Sequence, residues 1–426
     1  MTSRARNHAW YVLGLLTAIN FVNYVDRLVI VSMYGEFRTR FHMTDTQIGL
    51  LTTGFFAVHA LTTLPFGWAA DRFDRRKIIA IGVITWSLAT LASGWAVGFL
   101  SLLMLRAAIG IGEAAYLPVA NSILCEVFPA DQKARTIGIF NGGMFAGACV
   151  GVIAGGYLGF PTAFWVVAIP GLVMGIMALR LNITPVRSGT LHTTRATPLQ
   201  MLKDGWTALD VPTVRLLVVV GVLVSFTAGG YIAWFVDFVV TLKKIPRGQA
   251  TVIFGLITIV GGGCGVIVGG IVADRLKRRY RSGRVLAVGL GMVLAAPFAV
   301  GSILLPAGPA FYVCSSLVMF FIPWYNGPIA AVIDDVVDDH RATTAQASSS
   351  LVLHLVGTGP AAAVIGVLSS SWGLERALLL PTVTIFLAGL VCIPAARTVA
   401  RDMDAREARA VAAAAIAART ALARVV

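Results

Sequence analysis

The chain has 426 residues, of which 57% are hydrophobic and only 13% charged. Soluble proteins of average composition carry about 25% charged residues, so an ordinary globular domain is excluded and an all-α protein crossing a membrane many times is implied. The formal charge of +14 invites a nucleic-acid reading, but the basic residues sit in short loops between apolar runs and share no face. No nucleic-acid partner is expected.

At about 20 apolar residues per crossing, twelve helices are predicted. The first six cover residues 10–33, 46–70, 78–97, 99–127, 134–158 and 160–182. A polar segment over 183–211, with Pro185 and Pro198, leads to six more at 213–240, 248–273, 284–305, 309–333, 343–368 and 376–397. The chain thus divides into an N-terminal unit (1–182), a linker (183–211), a C-terminal unit (212–397) and an Ala- and Arg-rich tail (398–426) expected to be helical.

Arginine and lysine crowd the loops on one side: Arg4, Arg6, the Arg72–Lys77 loop, Lys133, Arg135, the linker, the Arg275–Arg284 loop and the tail. The other side offers only Arg38, Arg40, Lys243, Lys244, Arg247 and Arg376. The positive side faces the cytoplasm by the positive-inside rule, which predicts an inner-membrane protein with both termini inside.

The first helix carries Tyr24, Asp26 and Arg27, and the fourth carries Arg106, Glu113 and Tyr116. Each charge costs roughly 2.5–3.5 kcal/mol at a helix centre on insertion scales. Arg106 and Glu113 are seven residues apart, about two turns, and share one face. That face looks at a water-filled path or at partner charges, or serves as an architectural ion pair; intramembrane ionisable groups are functional candidates by default.

The second helix ends in Gly67-Trp-Ala-Ala-Asp71-Arg72, followed by Arg75, Arg76 and Lys77. The eighth ends in Gly270-Ile-Val-Ala-Asp274-Arg275, followed by Lys277, Arg278 and Arg279. A six-helix unit used twice implies two bundles about a central pathway. Glu126, near the end of helix 4, is a candidate partner for Arg75; Asp334, Asp335 and Asp338 are candidates for Arg275 or Arg278.

In the second unit, helix 7 offers Tyr231, Trp234 and Asp237, and helix 10 offers Trp324, Tyr325 and Asn326 between Pro323 and Pro328. These aromatics read either as a soft cavity wall or as an interfacial belt. His59 and His354 read first as packing residues, and Gly147, Gly151, Gly155 and Gly156 as a close-packing stripe on helix 5. The five cysteines lack metal or CxxC spacing and no phosphate-binding loop or catalytic triad is present, so no enzyme activity, cofactor or metal is expected.

The doubled G-x-x-x-D-R loop resembles the signature of the major facilitator superfamily. The resemblance covers about residues 8–397 and implies two pseudo-symmetric six-helix bundles, a cavity lined chiefly by helices 1, 4, 7 and 10, and alternating access. It assigns the Asp71 and Asp274 loops to conformational switching, against a purely topogenic role. The runs Asn23-Tyr24-Val25-Asp26-Arg27, Gly112-Glu113-Ala-Ala-Tyr116 and Phe128-Pro-Ala-Asp-Gln-Lys-Ala-Arg135 resemble bacterial Spinster-like carriers of lysophospholipids. The anion:cation symporters share an N-Y-[IV]-D-R first helix and a G-x-x-E-A fourth helix, and Pro118 and Phe128-Pro129 also suit them.

If helices 1 and 4 both line the cavity, as that resemblance implies, Asp26 can meet Arg106 while Arg27 meets Glu113. Burial opposes ionisation of a carboxylate and a nearby arginine favours it, so such a site can take up and release a proton as the cavity changes. The expectation is a monomeric, proton-coupled carrier of an amphipathic lipid. A symporter of small organic anions, a drug exporter, and a non-transporting sensor or scramblase are the alternatives.

Overall fold

The computed structural model describes residues 3–70, 72–129, 132–181 and 209–423. Among these residues twelve helices are long and apolar enough to cross a membrane. They are α1 (Asn7–Ser32), α2 (Asp45–Ala70), α3 (Arg75–Ser93), α4 (Phe99–Leu124), α5 (Arg135–Leu158) and α6 (Thr162–Leu179), then α7 (Pro212–Thr241), α8 (Arg247–Arg279), α9 (Gly283–Leu304), α10 (Pro309–Val336), α11 (Thr344–Trp372) and α12 (Leu374–Arg409). Most of the expected linker, 182–208, lies outside the described residues. The face toward which α1 begins and α12 ends is called the terminal face below, and the opposite one the far face.

Local sequence explains the departures from regular helix. Asp74 caps α3 by accepting the Arg76 backbone N–H. α4 breaks at Ala115–Tyr116 ahead of Pro118. Pro323 tightens α10 into a 3-10 turn over Ile322–Tyr325. A short helix unforeseen from the sequence, Tyr34–Phe41, joins α1 to α2. After a turn at Leu378, the helix of α12 runs unbroken from Leu379 to Ala423, and Arg281 meets it at the terminal face through Asp404 and Glu407.

Packing divides the helices into two groups. α1 lies on α5 and α6, α3 on α4 and α6, and α2 on α4; in the other half α12 lies on α7 and α9, and α9 on α8 and α10. Glycine sets these spacings. Gly147, Gly151 and Gly155 press against the α1 carbonyls of Phe21, Val25 and Val29. On α4, a Cβ at Gly112 would meet Gly82 O and Trp86 N at 2.7 Å, and one at Gly110 would meet Phe55 O at 2.8 Å. This close approach brings Arg106 and Glu113 against α1 to α3. Gly112→Ala should therefore cost about 1–3 kcal/mol, as over-packing does, and lower the melting temperature of the purified protein. An unchanged melt would show that α3 and α4 can part without loss.

The two halves meet along two seams, α2 with α11 and α5 with α8. On α5 the stripe Gly156, Cys149, Phe145 faces Thr251, Gly255 and Gly262 of α8. Its continuation at helical spacing, Gly142 and Gly138, has nothing within 4 Å. The α2–α11 seam runs from Asp45 to Phe56, whose ring stacks on His354 at 6.3 Å. Each seam parts just beyond a six-residue π-helical segment, Ile257–Gly262 in α8 and Leu353–Thr358 in α11. Such segments are rare and concentrate at functional sites. Among the described residues the halves are closed together at the far face and parted at the terminal face.

Candidate functional site

The four intramembrane charges of the first half converge where α1, α3 and α4 meet. Arg27 donates to Glu113 through Nε at 3.0 Å and Nη2 at 2.5 Å, both to Oε2. The Glu113 side chain is sealed (0% exposed), whereas Arg27 keeps 14%. The pair thus has one edge toward the space between the halves. The Arg27 guanidinium lies 4.7 Å from the Tyr24 ring centroid and 5.2 Å from that of Phe55, a cation–π setting that favours a charge in a poorly hydrated place.

Asp26 does not meet Arg106, contrary to the pairing expected from the sequence. Its Oδ2 accepts a hydrogen bond from the Thr90 hydroxyl of α3. Adjacent residues on a helix point about 100° apart, so Asp26 turns into the bundle while Arg27 turns toward the other half. Arg106 lies 4.8 Å over Phe55. Arg106 Nε and Nη1, Asp26 Oδ1 and Glu113 Oε1 are buried without a hydrogen-bond partner among the described residues. Each such atom costs about 1–3 kcal/mol, and four of them share one small region.

The aromatic wall is not the one expected. Tyr116 sits in the core of the first half, its hydroxyl donating to Leu16 O and its ring against Trp86. Tyr231 lies in the second half beside Ser302 Oγ (3.2 Å) and Ala299 O (3.3 Å). Trp234 is fully buried, donating to Ala362 O at 3.0 Å. Trp324 fills the notch left by Gly269 and Gly291. These four are bundle core and not cavity lining, because a polar tip or a glycine notch awaits each of them inside. Of the expected set, Tyr24 and Tyr325 approach each other between the halves and Asn326 is exposed. Phe56, His59 and His354 complete that wall, Phe56 stacking on His354, while Phe55 lies behind them in the core.

At the far face an ionic clasp joins the halves, and sequence reasoning missed it. Arg38 grips Asp237 of α7 with two bonds of 2.7 Å and reaches Asp45 at 2.8 Å. Ser369 of α11 donates to Asp45 at 2.5 Å. Arg247 at the head of α8 pairs with Glu36 and donates to Gly155 O. Burial alone would weaken protonation of Arg38; its bonds to Asp237 more than offset this and hold the guanidinium above its ordinary value. The available signal was scarcity: with so few charges on that side, acids and bases there had few partners but one another.

At the terminal face, among the described residues, ion pairs stay within their own half. Arg75 donates to Glu126 at 2.7 Å, as anticipated. The pseudo-equivalent pair joins Arg284, at the head of α9, to Asp335 of α10 at 2.9 Å, with Lys277 on the same carboxylate. Arg275 and Arg278 are therefore not the partners; Asp334 takes Gln346, and Asp338 takes Arg409. Asp274 reaches Arg284 at 3.3 Å, and Arg72 lies 4.0 Å over Trp68, one residue from Gly67. Asp71 lies outside the described residues.

Comparison with known proteins agrees with this architecture. Protein spinster homolog 1 of Xenopus tropicalis is 28% identical over 396 residues, covering 87% of this chain and 74% of that relative. The human protein spinster homolog 1 is 27% identical over 382 residues, covering 84% and 72%. The crystal structure of a bacterial homolog of the human lysosomal transporter spinster, inward-facing and unoccupied, has the same fold. It superposes with a TM-score of 0.81 at 23% identity, over 93% of this chain and 98% of that one. Residues 16–358 match the Major Facilitator Superfamily model. The chain belongs to the Major Facilitator Superfamily of membrane transporters.

Proposed function

We propose that this transporter is a proton-coupled carrier of an amphipathic lipid such as a lysophospholipid, working by alternating access from the cytoplasmic side of an inner membrane. The observation that carries the reading is the Arg27–Glu113 pair, sealed on the Glu113 side and open on the Arg27 side to the space between the halves. A carboxylate so placed changes its proton affinity when a substrate headgroup competes for its arginine. Arg27 and Arg106 serve as modulators of Glu113 and Asp26 or as contacts for an anionic headgroup. The unpartnered atoms around Arg106 suit a site whose groups exchange partners during the cycle. The Arg75–Glu126 and Arg284–Asp335 pairs, with the Asp71 and Asp274 loops, act as the cytoplasmic latch.

The substrate class rests on asymmetry. The first half brings Arg27 and Arg106 to the site, whereas the second half brings Tyr325, Asn326 and His354 and no arginine or lysine at that depth. One charged and one soft wall fit a headgroup with an apolar chain, and the similarity to spinster homologues supports the same class. Sugar acids or other organic anions are the second reading, favoured by the two arginines. Proteoliposome flux under an imposed pH gradient, with lysophosphatidylcholine set against a panel of organic acids, decides between them. Uptake of the lipid alone supports the proposal; acid uptake without lipid uptake replaces it. Flux indifferent to the gradient removes proton coupling.

A further inference from the structure

Hydroxyls on the helices of this protein mostly bond their own backbone one turn back. Ser93 donates to Ala89 O, Thr63 to His59 O, Thr241 to Asp237 O and Ser315 to Phe311 O. Thr90 departs from that habit. Its hydroxyl crosses from α3 to α1 and donates to Asp26 Oδ2. Both residues are sealed, Thr90 at 0% and Asp26 at 1% exposure. The charged groups facing Asp26 are Arg106 and Glu113 from α4 and Arg27 from its own helix. α5 and α6, also packed on α1, bring it none. Asp26 Oδ1 and two nitrogens of Arg106 remain unpartnered, so the acid and the arginine lack a bond that both have atoms to make.

We propose that Thr90 is a positioning residue: it holds Asp26 against α3 and away from Arg106, and keeps its bond to Asp26 through a change of protonation. This rests on the reading of Asp26 as a proton carrier. A hydroxyl both donates and accepts. With Asp26 ionised, the Thr90 O–H donates to the carboxylate. When one proton adds to a carboxylate oxygen, the new carboxyl O–H donates to Thr90 Oγ1. The threonine hydrogen then turns to the Trp86 carbonyl one turn back, the acceptor other helix hydroxyls here use. No heavy-atom bond forms or breaks, and the only proton gained is the one on Asp26. Without the hydroxyl, Asp26 loses one bond to its charged form and turns to Arg106, whose charge-assisted bond is the stronger of the two, so the charged form is favoured on balance.

The test is uptake of radiolabelled lysophosphatidylcholine into proteoliposomes as a function of pH, for wild type, Thr90→Val and Thr90→Ser. Thr90→Val should move the midpoint of gradient-driven uptake to lower pH by about one unit, the small end of the effect of a neighbouring opposite charge. Thr90→Ser should track wild type. An unmoved midpoint in Thr90→Val, or an equal shift in Thr90→Ser, overturns the proposal while leaving proton coupling intact. If wild-type uptake ignores the gradient, or Thr90→Val fails to insert, infrared difference spectra still decide. The carboxylic C=O band that titrates in wild type and vanishes in Asp26→Asn should shift in Thr90→Ala; an unshifted band, or no such band in wild type, overturns the proposal.

Discussion

Glu113→Gln should abolish uptake driven by a pH gradient while leaving the protein folded in the membrane. Glutamine keeps the length of the side chain and an oxygen for Arg27 Nη2, so the geometry at 2.5 Å has a near-isosteric replacement. What it loses is the negative charge and the ability to bind a proton. Arg27 retains 14% exposure and can turn its guanidinium toward the space between the halves. The stability cost therefore stays near the value of one hydrogen bond to a charged group, about 1.5–3 kcal/mol. Arg27→Ala is the harsher change. It strands Glu113, whose side chain has no exposure, and removing one partner of a buried pair costs about 3–5 kcal/mol. Initial uptake rates with and without a pH gradient, beside melting curves of both variants, separate loss of coupling from loss of fold. Gradient-driven uptake by Glu113→Gln at the wild-type rate would refute Glu113 as the coupling residue.

The twelve helices were legible because length and apolarity alone report a crossing, and the doubled Asp71 and Asp274 loops reported the repeat. Arg27 with Glu113 was anticipated from the costly charges on helices 1 and 4, but the same argument paired Asp26 with Arg106, and Asp26 bonds Thr90 instead. Two kinds of information were not legible. The first is which buried face a residue takes. Tyr116, Tyr231, Trp234 and Trp324 look the same in sequence whether they line a cavity or a bundle core, and only the positions of Leu16 O, Ala299 O, Ala362 O and the Gly269–Gly291 notch decide. The second is pairing between distant segments. Thr90 is one more threonine in an apolar helix, with Asp26 64 residues away. Arg38 and Asp237 are 199 residues apart.

That clasp yields the other large effect. Asp237→Asn should shift the protein toward a state open at the far face. Asp237 is almost buried and takes both ends of the Arg38 guanidinium, the bidentate geometry that makes charge-assisted bonds strong. Losing it should withdraw about 1.5–3 kcal/mol, roughly a 10- to 100-fold change in the ratio of the two states. The shift is bounded because Arg247–Glu36 and Ser369–Asp45 still join the halves. Ser32 reports the change, since it lines the cleft beside Glu36, Asp237 and Arg247. A Ser32→Cys reporter should react with an impermeant maleimide at least about tenfold faster when Asp237→Asn is added. Asp404→Asn, which loosens an exposed pair at the terminal face, should leave that rate unchanged. Arg38→Gln combined with Asp237→Asn should open the far face no further than either change alone, the non-additivity expected of two partners in one contact. Additive effects would place the holding force in some other contact, and unaltered labelling in Asp237→Asn would mean the clasp forms only after the seams have already closed.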